Sequence, residues 1–401
     1  MAAYVRLLRT NRNFRLLWFA QIISEQGDWL YAVAVYSLLL EYTGSAKSVG
    51  LAFVLQVLPQ FFVSPAVGVI NDRLSRKKVM IFADWSRAVI VLCMLLVRGP
   101  HLVWLLYTLL FMVANTLSST TWSFNFAMGF AVGGALAAYF GRDFVFVLNS
   151  LSFVLSALLI GRMKFSEPHA ENRPPLKPRD FADFSPIKEG IGYVWKNPRL
   201  RTTIFVKAGL GLMGANWVLL PIFGERIFPI HRAGFNQRQA GMLGMSLLMA
   251  CRGIGAIIGP VVSGSWAAGI EKRMRLGILF GYLAAAAGYL TLGHAPGLVL
   301  ACTGIILAHA GGSTLWVFSS TLLQLQTNDR FRGRVFSAEW ALSVVTMSLS
   351  SYSAGVLIDR NIAAATVASA TGLVVLIPAV LWGITLVRSA SDRPSVSQRR
   401  G

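Results

Sequence analysis

Glu25 and Asp28 stand three residues apart inside the apolar run that begins near Phe14. On a helix that spacing puts both carboxylates on one face, and Gln21 extends the same face. At 1.5 Å per residue the pair lies roughly 16–21 Å beyond Phe14. An ionisable group at bilayer depth costs at least about 2.5–3.5 kcal/mol, so it suggests function. Two adjacent carboxylates there can hold a shared proton, since each opposes the ionisation of the other. The alternative is a packing carboxylate bonded to a neighbouring arginine. Arg252, midway along a later apolar run, either neutralises Glu25 or Asp28 or binds an anionic substrate. His309, in "LAHAGG", reads as a packing histidine or as a weaker candidate for proton coupling or the substrate cavity. Lys207 and Glu339 are weaker candidates of the same kind, and Asn216, Trp217, Trp316 and Phe318 are candidates for lining an apolar cavity or simply packing.

The elements that must position these groups are membrane helices. The 401 residues are 55% hydrophobic and 13% charged, against about 25% charged in a soluble domain. Apolar runs lie near 14–40, 48–70, 79–97, 102–114, 121–140, 143–162, 203–224, 239–265, 275–293, 297–325, 334–358 and 362–387. Most reach the ~17–25 residues that one crossing needs. The expected fold is therefore an all-α polytopic membrane protein with twelve spans, the fourth of them short. A net charge of +20 invites a nucleic-acid reading, but the cations sit in the gaps between apolar runs, where the positive-inside rule puts them. With the N-terminus in the cytoplasm, 27 of the 37 Lys and Arg fall inside and seven outside. Both termini are then cytoplasmic, and the expected location is the cell (inner) membrane. Cys93, Cys251 and Cys302 lie singly in apolar segments, without disulfide or metal spacing. The first span is expected to remain as an anchor, since no small-residue cleavage site follows it.

Residues 164–202 divide the chain. The segment opens polar and proline-rich, as a linker does. Then Phe181, Phe184, Ile187, Ile191 and Val194 recur at helical spacing. That pattern predicts an amphipathic helix on the cytoplasmic membrane surface, with Lys188, Lys196, Arg199 and Arg201 toward headgroups. The expected organisation is a bundle at 1–163, this connector, a second bundle at 203–388 and a tail at 389–401. Six spans followed by six is the internal repeat of secondary transporters.

Between the second and third spans stands "GVINDRLSRKKVM", residues 68–80. A topology signal alone explains Arg76, Lys77 and Lys78, but not Gly68 and Asp72 at that spacing. The stretch resembles the cytoplasmic loop motif of the major facilitator superfamily, keeping Gly68, Asp72, Arg73, Arg76 and Lys77, with Ser75 where glycine is usual. Residues 11–30, 114–123, 140–158 and 325–342 resemble the branch that holds drug:proton antiporters and the enterobactin exporter. The resemblance implies two six-helix bundles around a central cavity, alternating access, and a latch on the cytoplasmic face in which Asp72 takes part. A decayed copy, "GSWAAGIEKRMR", follows the eighth span without the Asp-Arg pair. "GAIIGPVVSG" (255–264) is similar to the exporter-type Gly-Pro motif, displaced from the fifth span, which here reads "GFAVGG". Close helix packing explains these glycines equally well.

One region departs from the repeat. Residues 102–140 are about 23 shorter than their counterpart 297–358. Residues 102–114 make a helix of only roughly 20 Å, short of the ~30 Å apolar core. Charge parity requires a turn near Asn115–Thr121. The expected function is secondary active transport, as proton-coupled efflux of amphipathic drugs or a siderophore. The alternatives are an uptake symporter and a membrane protein that has lost transport with its fourth span. The expected partners are the substrate, protons and the bilayer, for a monomer without cofactor. Neither a phosphate-binding loop nor a nucleophile constellation suggests ATP use or an enzyme.

Overall fold

The computed structural model describes residues 2–73, 75–114, 122–164 and 185–391. Every regular element among them is helical. In chain order they are α1 (Ala2–Thr10), α2 (Arg12–Thr43), α3 (Ala46–Arg73), α4 (Arg76–Cys93), α5 (Val103–Ala114), α6 (Trp122–Phe140) and α7 (Arg142–Gly161). After the connector come α8 (Ser185–Lys196), α9 (Pro198–Gly211), α10 (Asn216–Ile222), α11 (Gln237–Ala267), α12 (Glu271–Gly293), α13 (Leu298–Gln326), α14 (Asp329–Asp359) and α15 (Ala364–Ser391). A 3₁₀ turn joins α9 to α10, which ends in a π turn at Phe223–Ile227. Among the described residues eight helical runs are long and apolar enough to cross a membrane, and Ala46–Pro59, Pro100–Val113 and Met128–Phe140 are shorter apolar helices.

Local signals set the ends. Asn11 caps α2 by accepting from the Phe14 N–H at 3.0 Å, and Ser75 caps α4 by accepting from Lys78 N–H at 3.2 Å. Gly44 closes α2 at φ 63°, a left-handed conformation that costs glycine nothing. Asn197 with Pro198 opens α9, proline being favoured where no amide partner exists.

The chain forms two compact units. The first comprises Met1–Phe184, Trp217–Gly253 and Ser351–Asn361; the second comprises Ser185–Asn216, Ile254–Ser350 and Ile362–Gly401. Two segments of the second sequence half thus belong with the first half. In the first unit α2 packs along α6 and α7, and α4 along α7. Gly133 of "GFAVGG" lies against the Leu30 backbone, where a Cβ would overlap the Leu30 carbonyl. In the second unit α12 packs on α13 and α15. Gly255 and Gly259 of "GAIIGPVVSG" lie against the carbonyls of Ile306 and Ala310 on α13. Both glycine sets therefore serve close helix approach.

The shortened region contains two helices, α5 and α6. The polar stretch 115–121 between them lies outside the described residues. One member of the connector's apolar stripe turns to protein. Val194 is buried with Leu200, Ile204, Leu323, Val335 and Ala338. Tyr193 stacks on Phe331 at 4.4 Å, and Glu189 pairs with Arg334. α8 therefore docks on the start of α14 and leaves Ile191 and Trp195 exposed. Burial against protein removes the same apolar area from water that a lipid surface would. Phe181 and Phe184 lie outside the described residues.

Candidate functional site

Two helices of the first unit, α2 and α4, bring charge together, and α7 packs beside them. From α2 comes Asp28, with its side chain 31% exposed. From α4 come Asp84 and Arg87, one helical turn apart. From α7 come Ser156 and Phe153. The Arg87 guanidinium bonds the Asp84 carboxylate at 2.5 Å and stands 3.7 Å from that of Asp28. Asp84's second oxygen accepts from the Ser156 hydroxyl at 2.6 Å. The guanidinium also lies 4.6 Å over the Phe153 ring, a contact that suits a desolvated cation. At 1.5 Å per residue Asp84 and Arg87 sit roughly 12 and 17 Å from the start of α4.

The two aspartates are held unequally. Asp84 is buried, with both oxygens satisfied. Asp28 is half-buried, farther from the shared cation, and lies in the negative fields of Glu25 and Asp84. With both carboxylates ionised the trio carries one net negative charge. A proton on Asp28 makes it neutral and leaves the Arg87–Asp84 pair standing. Asp84, Arg87, Ser156 and Phe153 are not among the residues that the sequence reading selected. The available signal was an Asp-Arg pair at i, i+3 within one apolar run, which lets each charge neutralise the other.

Glu25 and Gln21 are half-buried on α2. Arg252 lies over Trp217 at 4.0 Å from the ring centroid, while Asp28 pairs with Arg87. Trp217 stacks on Phe53 and Trp29 at 4.6 and 6.1 Å, and Trp29 meets Phe130 at 5.5 Å. Asp28 is therefore the sequence neighbour of an aromatic stack that carries a cation. In the second unit, His309 is buried and edge-on to Tyr289. Asn216 is buried and donates to the Met213 carbonyl, and Phe318 is buried. Gly68, Asp72 and Arg73 fall in the last turns of α3, and their side chains lie outside the described residues. Arg76 begins α4. Lys77 donates to the carbonyls of Gly161 and Met163 at 2.8 and 2.6 Å, placing a cation where the carbonyls at the end of α7 need one.

The Major Facilitator Superfamily profile matches residues 112–351. The chain belongs to the Major Facilitator Superfamily. A second profile, described as a transmembrane secretion effector, matches residues 7–125. The MFS-type transporter YkuC of Bacillus subtilis (strain 168), named as uncharacterized, is 28% identical over 243 residues. That match spans 53% of this chain and 56% of YkuC. The multidrug efflux pump Tap of Mycobacterium bovis (strain BCG / Pasteur 1173P2) is 24% identical over 93% of this chain and 92% of its own. The crystal structure of the nucleoside transporter NupG superposes with a TM-score of 0.67 at 14% identity, covering 94% of this chain and 99% of NupG. This superfamily member is thus a membrane transporter with efflux pumps among its relatives.

A second charged assembly of the first unit ties the loop after α2 to second-half segments. Glu41 accepts from Arg142 at 2.6 Å and also from Arg238. Arg226 donates to the Gly44 carbonyl at 2.8 Å. Asp359, the last residue of α14, sits on the N-terminus of α3. Its two oxygens accept from the amides of Ala46 and Lys47 at 2.7 and 3.1 Å and from the Ser45 hydroxyl at 2.5 Å. A carboxylate on free amides at a helix start is favoured both by hydrogen bonding and by the helix dipole. Asp359→Ala is expected to cost about 1 kcal/mol, the usual cost of losing a cap. Thermal unfolding in detergent would read it, and an unchanged midpoint would show the cap idle.

Proposed function

We propose that this protein is a proton-driven exporter of amphipathic small molecules, with twelve spans and both termini in the cytoplasm. The observation that carries the reading is the asymmetric trio Asp28–Arg87–Asp84. One carboxylate is locked and one is loosely held, so Asp28 is the group that takes up and releases the proton. Protonation changes the charge that Arg87 must balance, and a charge change inside the apolar layer is what biases a two-state transporter. The similarity to the pump Tap supports export, and the positive-inside count supports the orientation. With that orientation the Glu41 and Asp359 assembly lies on the external side of the first unit.

The test is accumulation of ethidium and of a labelled macrolide in cells stripped of their own efflux pumps. Expression is expected to lower the steady-state level severalfold, and a protonophore to restore it. Equal accumulation with and without the protein would contradict export. The shortness of α5 favours one rival, a protein that no longer transports. Its 12 residues span roughly 18 Å at 1.5 Å each. Under that rival neither compound responds to expression, although the protein reaches the membrane.

A further inference from the structure

The second unit contains a buried ion pair that the trio does not use. Lys207 of α9 and Glu339 of α14 are 4% and 1% exposed. The Lys207 ammonium donates to Glu339 Oε2 and to the Ser320 hydroxyl of α13, each at 2.8 Å. It also lies 4.1 Å from the Trp316 ring centroid. The cation is therefore fully engaged. The carboxylate is not, because Glu339 Oε1 is buried without a hydrogen-bond partner. The contrast with Asp84, whose two oxygens are both filled, is direct. A buried acceptor left empty costs about 1–3 kcal/mol, more when charged, and a bound proton removes that cost by turning the oxygen's charge off.

We propose that Glu339 is a second proton-binding site, carried by the second unit and distinct from Asp28. This extends the proton-coupled reading above. The burial selects the ligand: a proton or a donor the size of water reaches an oxygen this enclosed, and a drug does not. A hydronium ion gives its proton to Oε1: one of its O–H bonds breaks, the O–H bond of the carboxylic acid forms, and a neutral water leaves. Lys207 keeps its own proton, so the pair becomes an ammonium beside a neutral acid. Lys207 is the charged group acting on Glu339, and Glu339 the one acting on Lys207. α13 adds Ser320 and Trp316, and α8 approaches through Val194. The Glu189–Arg334 pair belongs to the start of α14, five residues and roughly 7.5 Å along the helix.

Infrared titration of the carboxylic-acid C=O band in the full, detergent-solubilised chain tests this without any substrate. The wild type is expected to gain buried carboxylic-acid intensity as the pH falls. Glu339→Gln should remove one component, and Asp28→Asn should remove a different one. Lys207→Gln should move the Glu339 midpoint upward by about one pH unit or more, since an opposite charge is lost. If Glu339→Gln removes no component anywhere in the titration, Glu339 stays ionised and the proposal is overturned. If the component is present but indifferent to Lys207→Gln, the pair is not the proton site described. Absence of the Asp28 component alone would strike the trio and leave Glu339 standing.

Discussion

Arg87→Met is expected to destabilise the protein more than any other single change at the site, by about 3–5 kcal/mol. Asp84 is 3% exposed on its side chain and would keep Ser156 as its sole partner, with its charge unopposed. Arg87→Lys should recover part of the loss, because an ammonium is a point charge and cannot reach two carboxylates as a guanidinium does. Arg87→Met combined with Asp84→Asn should recover most of it, since removing both members of a buried pair is often close to neutral. Thermal unfolding in detergent measures all three. A single mutant as stable as the wild type would show that the pair at 2.5 Å carries no weight in the fold.

Asp28→Asn should have the opposite profile, small for the fold and large for transport. The substitution removes a charge and almost no volume, and the Arg87–Asp84 pair stays in place. At 3.7 Å and 31% exposure the lost pairing is worth about 1 kcal/mol or less. Driven efflux of ethidium is nonetheless expected to fall to the passive rate and to lose its response to an imposed pH gradient. Ethidium binding, read by its fluorescence polarisation, should persist. A mutant that keeps its full response to the gradient would remove Asp28 from the coupling step.

The helices were legible because apolar length and cation spacing are strong, additive signals. The expected runs 239–265, 275–293 and 297–325 agree closely with α11, α12 and α13. The one member of the trio on α2, Asp28, was legible for the same reason, since a carboxylate within an apolar run is conspicuous. Arg87 was not. The cation count leaves three of the 37 Lys and Arg outside the aqueous segments, namely Arg87, Lys207 and Arg252. The acids on the first span point to Arg252 as a candidate partner. Which cation meets which acid depends on how α2, α4 and α7 rotate against one another, and sequence spacing within one helix does not encode that. The amphipathic helix shows the same limit. Its stripe predicts burial, but a lipid surface and the start of α14 present equally apolar faces to Val194. The Asp359 cap joins positions more than 300 residues apart, and no local pattern announces it.

The most direct test of the central claim is proton movement in proteoliposomes with a pH dye trapped inside and a standing pH gradient. Adding ethidium is predicted to dissipate the gradient through the wild type and not through Asp28→Asn. Dissipation that is equal in the two, or absent from both while ethidium still crosses, would contradict a proton-coupled exporter built on Asp28.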